Sequence, residues 1–550
     1  MAAGVGLLPG IAQAAPAAPA APGAAQPDLG PLEAGAPESE TVHSSADRTV
    51  VTPLAGAGSR AAGAQGKLSA ASPTVELGAK AITAHKMNLA VVAMSEDAEL
   101  DITVDWGDGT KTDRHGSASQ GSERWDIKHT YALLGPYTIK VTVKDTTHGV
   151  QAVNEVKFTT AGTEFTSHAP TRLLDTRAGV GAKKAKVAGR SSVALKVAGA
   201  AHVPAGVRAV VLNVTVTNTT GPGHISVQPE KDWAETVQTS NVNYLAGQSV
   251  PNLVIATVGA DGFVHLFNGG WESVDLLADV TGYFTASEAD GYTALNPTRV
   301  VDTREKLGGK TPGYGTFDVA IAGAGRVPKG ATAVALNLTV TNPIQSGHLT
   351  AYPAGQQAPA TSSVNFAPGQ TVANSVIVPV GADGKITVRN GSWESTDVVI
   401  DVVGYYGAGS LAAYEPAVVS YRTMDTRKDT WWSGNKSGPV PARSYLPVYL
   451  PHDEDADPVV AWVLNATVTN TTGEGFLSVA ADHNEWSDYE ADTATMPERP
   501  VSSALNWTAG ATVPNLVQTT VGQGMHVDFW NQGWKSVDVI VDVQGKYRVG

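Results

Sequence analysis

The feature that most constrains this chain is a threefold internal repetition. Three blocks recur in the same order from about residue 163 to residue 550: Arg-x-x-Asp-Thr-Arg, then Leu-Asn-x-Thr-Val-Thr-Asn, then Asp-Val-x-Gly. The period is about 125 residues, which is long enough for each copy to hold its own hydrophobic core. The repetition therefore predicts three domains that follow one another as on a string, at 163–288, 289–408 and 409–550.

The composition indicates the fold class of these copies. The chain contains 58 glycines and 32 prolines, and only 16% of its residues are charged. Such a composition suits short strands joined by tight turns and does not suit long helices. We therefore predict an all-β chain in which each copy forms a sandwich or barrel of roughly eight to ten strands.

Charge, cysteine content and hydropathy exclude several classes of function. The net charge is −14, which disfavours nucleic acid as a partner because phosphate binding needs clustered cations. Cysteine is absent, so the chain has no disulfide, no cysteine-based zinc site and no thiol nucleophile. No apolar run reaches 18 residues, so we expect no transmembrane segment.

The first 72 residues are interpreted as an export and tether region. Residues 1–14 are apolar and end in the small-residue triplet Ala12-Gln13-Ala14, which is typical of a signal-peptidase site. The basic start of a complete signal peptide is missing, so this segment is interpreted as a signal-peptide remnant with the true start codon upstream. Residues 15–72 are rich in Ala, Pro, Gly and Ser and are predicted to form a disordered linker. These features predict a secreted or cell-surface protein.

Residues 73–162 carry a different pattern of alternating strands and tight turns. The segment 105–109 reads Asp-Trp-Gly-Asp-Gly, and it is followed by His-Thr-Tyr at 129–131 and by Gly135 and Tyr137. Together these motifs closely resemble the PKD (polycystic kidney disease) family. The resemblance covers about 90 residues of the chain. It implies a seven-stranded β-sandwich of the immunoglobulin type.

The same resemblance implies structural roles for three residues of the first motif. Trp106 is expected in the core, and Asp105 and Asp108 are expected to shape the turn. A hard-cation site formed by these carboxylates and Asp101 is the alternative, since such cations prefer oxygen ligands.

The three copies are similar to a repeat found in many exported actinobacterial proteins. That repeat has Leu-Asp-Thr-Arg near its start and Asp-Val-x-Gly-Tyr-Phe at its end, and the resemblance covers about residues 163–550. It implies a secreted context and supplies no settled function.

The Arg-x-x-Asp-Thr-Arg block is a candidate oxyanion site, because the arginine fork matches carboxylate and phosphate groups. The alternative is a partly buried ion-pair network that locks the first strand of each copy to its last. Occurrence in all three copies favours the structural interpretation, since duplicated binding sites often drift. The candidate ligand-binding arginines are Arg172, Arg177, Arg299, Arg304, Arg422 and Arg427, and the aspartates interpreted as structural are Asp175, Asp302 and Asp425.

The Asn-x-Thr triplets match a glycosylation acceptor pattern. They begin at Asn213, Asn337 and Asn465, in the middle of a predicted strand at equivalent places in the copies. We therefore predict that these asparagines hydrogen-bond the backbone of a neighbouring loop.

Each copy also carries a tryptophan in a small-residue loop just before its last strand. These residues are Trp271, Trp393 and Trp534. An exposed tryptophan can stack on the apolar face of a sugar ring or anchor a protein interface. The alternative is a ring folded over its own sandwich as a lid.

These features predict a non-catalytic binding or adhesion protein, multivalent for a glycan, a cell-wall polymer or a surface protein. A structural spacer or extracellular assembly component without a small ligand is the first alternative. A polysaccharide hydrolase that uses paired carboxylates such as Asp275 and Asp279 is a weaker one. Neither a cofactor nor a metal is expected.

Overall fold

Antiparallel β-strands make up nearly all of the regular structure, so the all-β prediction is confirmed. The predicted signal-peptide remnant, residues 1–14, and most of the predicted linker lie outside the described residues. The computed structural model describes residues 41–54, 73–82, 85–119, 121–160, 162–232, 239–287, 289–305, 310–407, 409–428, 438–450, 459–522 and 524–549.

The first nine strands form a two-sheet sandwich, named here the N-terminal sandwich. They are β1 (Val42–Ser44), β2 (Val50–Pro53), β3 (Thr74–Ala81), β4 (Lys86–Met94), β5 (Glu99–Asp105), β6 (Lys111–Ser117), β7 (Ser122–Thr130), β8 (Pro136–Asp145) and β9 (Val150–Thr159). A short 3-10 helix, Ala46–Arg48, lies between β1 and β2. One sheet has the order β1-β3-β4-β7 and the other β2-β9-β8-β5-β6. Alternate residues of both sheets pack into one core that contains Trp106.

Part of the predicted disordered linker is folded into this sandwich. Strand β1 pairs with β3, and β2 pairs with β9. The Ser44 hydroxyl, buried between the sheets, donates to Asn154 at 2.8 Å. The prediction of disorder for residues 15–72 is therefore wrong for these two strands. Both are runs of three or four residues, Val-His-Ser and Val-Val-Thr-Pro, which the average composition of a 58-residue segment conceals. The sandwich accordingly has nine described strands, where the family resemblance implied seven.

Each repeat copy contributes eight strands in the same order. Copy 1 holds β10 (Glu164–Asp175), β11 (Ser191–Lys196), β12 (Val207–Thr217), β13 (Gly223–Gln228), β14 (Val242–Tyr244), β15 (Val250–Thr257), β16 (Phe263–Asn268) and β17 (Asp275–Thr285). Copy 2 holds β18 (Gly291–Asp302), a 3-10 helix (Thr303–Glu305), β19 (Thr316–Ala320), β20 (Ala333–Thr341), β21 (Gly347–Pro353), β22 (Val364–Phe366), β23 (Val372–Pro379), β24 (Lys385–Asn390) and β25 (Asp397–Gly407). Copy 3 holds β26 (Ala412–Asp425), β27 (Tyr445–Tyr449), β28 (Val459–Thr469), β29 (Gly475–Ala481), helix α1 (Trp486–Glu490), β30 (Leu505–Trp507), β31 (Val513–Thr520), β32 (His526–Asn531) and β33 (Asp538–Val549).

The eight strands of each copy form two four-stranded sheets. Numbered within the copy, the inner sheet has the order 1-8-3-6 and the outer sheet 2-7-4-5. This is the jelly-roll order, in which two Greek keys build one sandwich. The sheets enclose a separate apolar core in every copy. Of the predicted alternatives, a sandwich or barrel of roughly eight to ten strands, each copy is a sandwich with eight described strands. The predicted boundaries at 288 and 408 fall between the last strand of one copy and the first of the next, and they stay predictions.

The copies do not follow one another as on a string, and that expectation is wrong. Their inner sheets pack against one another and enclose a fourth apolar core to which all three copies contribute. Their first strands also pair at their starts, so that every copy meets both others. These pairs are Phe165 with Asp290, Tyr292 with Ala412, and Thr163 with Tyr414. Three similar interfaces that close on themselves define a ring with approximate threefold symmetry, named here the head, residues 163–549.

The inner strands show why the copies associate. Strand β12 is buried along nearly its whole length on both faces. Val210 and Leu212 point into the core of copy 1, whereas the intervening Val211 points into the shared core. A strand covered on one face alternates apolar and polar residues, but a strand covered on both faces is a continuous apolar run. The uninterrupted apolar run at 209–212, which continues into the buried Asn213 and Thr215 of the same strand, is therefore the sequence signal of the ring.

Buried asparagines also join the copies to one another. Each Asn-x-Thr asparagine donates to a backbone carbonyl of the next copy, so the predicted bond to a neighbouring loop is confirmed. A second asparagine, on the sixth strand of that next copy, donates back to the Asn-x-Thr asparagine and accepts a backbone N–H of the copy that carries it. The carbonyl bonds run from Asn213 to Ser362 (2.6 Å), from Asn337 to Ser503 and from Asn465 to Ser240 (2.5 Å), and the second asparagines are, in the same order, Asn374, Asn515 and Asn252.

Candidate functional site

The tryptophan before the last strand is exposed in every copy. Trp271 exposes 84% of its surface, and Trp393 and Trp534 each expose 76%. The alternative in which each ring covers its own sandwich is therefore wrong. Tryptophan is usually largely buried in folded proteins, so three exposed rings at equivalent positions stand out as candidate contact residues. Each ring and its surrounding loop are named here a tip.

A buried asparagine holds each tip in place. Asn268 donates from Nδ2 to three backbone carbonyls, including that of Glu272 at 2.8 Å. Its Oδ1 accepts the N–H of Gly270 at 3.0 Å. Asn390 and Asn531 are held in the same way in the other copies. Because every polar atom of these buried amides is bonded, the tryptophans project from preorganised loops.

A bulky residue in the left-handed backbone region lies beside each tryptophan. Arg190, Tyr314 and Arg443 have φ values of 56°, 54° and 58°. The residue types differ between the copies, so the repeated sequence blocks do not reveal this position, and the sequence analysis missed it. In copy 1 the preceding residue is Gly189, where a Cβ would collide with the backbone of Trp271.

These bulky residues contact the tryptophan rings directly. The guanidinium carbon of Arg190 lies 5.9 Å from the ring centroid of Trp271 in copy 1. The corresponding distance from Arg443 to Trp534 in copy 3 is 5.1 Å. In copy 2 the Tyr314 ring meets Trp393 edge-on, with 4.9 Å between centroids. Cations over an indole and edge-on aromatic pairs are both attractive geometries, so each tip is a two-residue platform.

All three tips lie at the same end of the head. Each first strand begins at the shared core, and the last strand runs antiparallel to it: Glu164 pairs with Thr285, and Asp175 pairs with Leu277. The tip precedes the last strand and therefore lies at the far end of the first. Twelve residues of strand span roughly 35–40 Å. The tips are about that far from the other end, where Leu134 of the N-terminal sandwich packs against Ala413 of the head.

The Arg-x-x-Asp-Thr-Arg blocks form the ion-pair network of the structural interpretation. Arg172 holds Asp279 of the last strand through Nε and Nη2 at 2.6 and 3.0 Å, and its Nη1 donates to Asp175 at 3.3 Å. Arg177 holds Asp175 through Nε and Nη2 at 3.0 and 2.8 Å. All six arginines are thus bonded to protein carboxylates, and binding of an external oxyanion by them stays a prediction. The same network recurs in Arg299, Asp302, Arg304 and Asp401 of copy 2 and in Arg422, Asp425, Arg427 and Asp542 of copy 3.

Burial and charge act in opposite directions on the carboxyls of this network. The bonds from Arg177 lower the pKa of Asp175 to about 2. Burial raises the pKa of Asp279, Asp401 and Asp542, although each of them faces an arginine. The buried aspartate of the last strand therefore depends on its arginine to stay ionised.

The carboxylates of the hydrolase alternative are bonded within their own copy. Asp275 accepts from Thr176 Oγ1 and from Asn218 Nδ2, both at 2.8 Å. Asp279 holds Arg172 and is 2% exposed. Both groups are therefore committed to the fold, Asp275 at the start of the last strand and Asp279 within it.

In the N-terminal sandwich, the first motif residues occupy the positions that the family resemblance implied. Trp106 is fully buried. Asp105 accepts the N–H of Gly107 at 3.2 Å, and Asp108 accepts the N–H of Thr110 at 2.9 Å. Both carboxylates shape the turn after β5. Within the described ranges, no cluster of three or more His, Asp or Glu side chains is placed to hold a metal ion, and no helix is long and apolar enough to cross a membrane.

Comparison with known proteins assigns this chain to no family. No family model and no curated protein matches it. A structure described as the basis for the promiscuous specificity of carbohydrate-binding modules from the β-sandwich superfamily covers 39% of this chain and 97% of its own, at 12% identity and a TM-score of 0.14. A second, described as the triple jelly-roll fold and turret assembly in an archaeal virus, covers 71% and 90%, at 9% identity and a TM-score of 0.14. TM-scores this low carry no argument about this chain.

Proposed function

We propose that this chain is a non-catalytic, multivalent binding protein that acts outside the cell, where its three tips bind a repeating polymer such as a surface glycan. The observation that carries the proposal is the exposure of Trp271, Trp393 and Trp534 on fixed loops at one end of the head. The small-residue triplet at 12–14 supports a location outside the cell.

The stability of the fold supplies no reason for these exposed rings. A side chain that keeps three quarters of its surface in water gains little from the hydrophobic effect. A flat indole face, however, can stack on a sugar ring and gains that burial when a ligand arrives. Because the loops are already fixed by Asn268, Asn390 and Asn531, little ordering free energy opposes such binding.

The ring of copies adds avidity to this contact. Three sites on one frame convert the second and third binding events into intramolecular ones, which raises overall affinity by about 10²- to 10⁴-fold where the target repeats. A polymer with regularly spaced units matches this arrangement better than a single small ligand.

A sedimentation assay with the full chain tests the proposal. Bacterial cell walls, chitin and cellulose serve as insoluble targets, and the triple variant Trp271→Ala, Trp393→Ala, Trp534→Ala is compared with the wild type. Trp486→Ala is the matched control, because Trp486 is 39% exposed and lies in α1, away from the tips. We expect saturable binding by the wild type and the control and its loss in the triple variant.

The other outcomes discriminate between the alternatives. Absence of saturable binding to all three targets favours the spacer, which needs no ligand. Binding that survives in the folded triple variant places the contact surface elsewhere and contradicts the proposal.

A further inference from the structure

The backbone at the tips carries a cost that each copy avoids at a second turn with the same conformation. At Asn218, Asn342 and Asn470 each copy enters the left-handed region, with φ of 54°, 53° and 54°. Asparagine tolerates this region, and each of these side chains also bonds an aspartate. At this position every copy therefore has a residue that adopts the left-handed conformation with little strain.

At the tips the same backbone conformation is given to costly residues. Arginine and tyrosine rarely occupy the left-handed region, and glycine would occupy it without strain. Arg190, Tyr314 and Arg443 nevertheless stand there in the three copies. Strained residues of this kind occur mainly at functional sites. We therefore expect the side chains at these three positions to have a function.

The two arginines are held beside their tryptophans by one hydrogen bond each, which leaves other guanidinium N–H groups available to a ligand. Arg190 Nη1 donates to the carbonyl of Gly269 at 3.1 Å, and Arg443 Nη1 donates to that of Gln532 at 2.8 Å. Neither guanidinium forms a salt bridge with a carboxylate in the described part of the chain. The remaining N–H groups of each fork suit a carboxylate presented by a ligand.

Copy 2 lacks this cation. Its tip pairs Trp393 with the phenol ring of Tyr314, and Glu394 follows the tryptophan, as Glu272 does in copy 1. Copy 3 has Lys535 at that place. Positive charge at the tips therefore falls in the order copy 3, copy 1, copy 2.

We propose that the tips of copies 1 and 3 bind carboxylate-bearing sugar units of an acidic glycan, whereas the tip of copy 2 stacks on an uncharged ring face of the same polymer. The inference rests on the proposed function. In each charged tip the indole stacks on the sugar ring, and the guanidinium of Arg190 or Arg443 binds the carboxylate of that sugar. The net charge of the whole chain is −14, so an acidic polymer is attracted only where such local cations stand.

Two probes that differ only in charge test this inference on the full chain. They are polygalacturonate and its fully methyl-esterified form, each coupled to beads. The double variant Arg190→Gln, Arg443→Gln keeps the start of the aliphatic stem and a planar polar head and removes the charge. We expect it to lose about ten-fold or more in affinity for the acid and to bind the ester like the wild type. Added salt is expected to weaken wild-type binding to the acid and to leave binding to the ester unchanged.

A gain-of-function variant removes misfolding as an explanation. Tyr314→Arg gives copy 2 the residue that copies 1 and 3 already hold at the same φ. We expect it to raise affinity for the acid by about three- to ten-fold. Gln356→Arg is the matched control, because it adds the same charge on an exposed turn of copy 2 at the end of β21 away from the tip, and it is expected to leave that affinity unchanged.

Each remaining outcome overturns a defined part of the account. If the double variant binds both probes like the wild type while the triple tryptophan variant binds neither, the charged-tip inference fails and the proposed function stands. Wild-type binding to cell walls but to neither probe likewise overturns the acidic-sugar assignment alone. If poly-glutamate binds as tightly as polygalacturonate with the same arginine dependence, the ligand is an acidic peptide instead of a sugar. If the triple tryptophan variant keeps its binding, the proposed function itself fails.

Discussion

Two regions of the head repeat their residues with equal regularity and use them in opposite ways. In the shared core, Asn213 and its equivalents are buried and bonded to the next copy. At the tips, Trp271 and its equivalents are exposed to solvent on loops that buried asparagines hold in place. Repetition alone therefore does not separate a structural residue from a binding residue. Solvent exposure on a preorganised loop does separate them.

The largest expected effect comes from the ion pairs between the first and last strands. Removing one of their arginines is expected to cost much more unfolding free energy than removing a tip tryptophan. Arg299→Ala leaves Asp401, which is 1% exposed, without its counter-charge, so we expect a loss of about 3–5 kcal/mol in unfolding free energy. Trp393→Ala is expected to change it by less than about 0.5 kcal/mol, because the ring is exposed. Urea unfolding of both variants measures the contrast.

The matched control for that pair is Arg304→Ala. The Arg304 side chain is 44% exposed and its partner Asp302 keeps Arg299, so about 1 kcal/mol is expected. Equal losses for Arg299 and Arg304 would contradict the importance assigned to the buried aspartate.

The asparagine bonds between copies give the next largest effect. Asn465→Ala removes bonds to Ser240 and Asn252 of copy 1, and the loss of buried bonds is expected to cost about 1–3 kcal/mol. Asn88→Ala removes an exposed bond to Asp126 in the N-terminal sandwich and is expected to cost less than about 0.5 kcal/mol. Thermal and urea unfolding compare the two, and equal costs would mean that the ring is not held by these amides.

Copy 3 offers a buried carboxyl with no counterpart in the other copies, which have His265 and Thr387 at its position. Asp528 on β32 is fully buried, and burial together with the neighbouring Asp482 raises its pKa to about 9. The folded chain therefore keeps a proton there that the unfolded chain releases near the ordinary value of 3.8. As pH rises between these values, the unfolding free energy therefore falls by up to about 1.4 kcal/mol per pH unit.

The variant Asp528→Asn tests the direction of this pH dependence. The amide mimics the protonated carboxyl and does not titrate, so we expect the variant to lose less stability than the wild type between pH 5 and pH 8. The nearby His526, whose pKa is lowered by burial, titrates in both proteins and cancels in the difference. Parallel stability curves over this range would show that Asp528 is ionised in the fold.

The smallest expected effect is at the tip backbone. Arg190→Gly relieves the left-handed strain and removes the guanidinium contacts with Trp271, Phe267 and the Gly269 carbonyl, so its unfolding free energy is expected to rise or to stay within about 1 kcal/mol of the wild type. Calorimetric melting beside Arg190→Gln, which keeps the strain, measures this. A loss well above that range in Arg190→Gly would give Arg190 a structural role.

Local features of this fold were predictable because the sequence shows them locally. Arg172 and Asp175 are three residues apart in a block that recurs in every copy, so their network could be predicted, and the mid-strand place of Asn213 pointed to a backbone partner. The ring could not be derived in the same way. Its signal, the continuous apolar run at 209–212, fits a strand inside one sandwich equally well until a partner sheet is known.

The tip could be predicted only in part. Trp271 was a candidate from its loop, but its exposure depends on Asn268, whose bonds join segments about 80 residues apart. Arg190 was missed because its backbone conformation, rather than its residue type, is what repeats. Strands β1 and β2 were missed because only their pairing partners, β3 and β9, distinguish them from a tether.

The most direct test of the central claim is a valency series measured on one polymer target. The full chain is compared with variants in which one, two or all three of Trp271, Trp393 and Trp534 are changed to Ala, all checked for unchanged melting. We expect affinity to fall steeply with each lost ring, and the loss from one ring to none to be smaller than the loss from three to one, because avidity is lost first. Equal affinity across the folded series would contradict the claim that the three tips bind together.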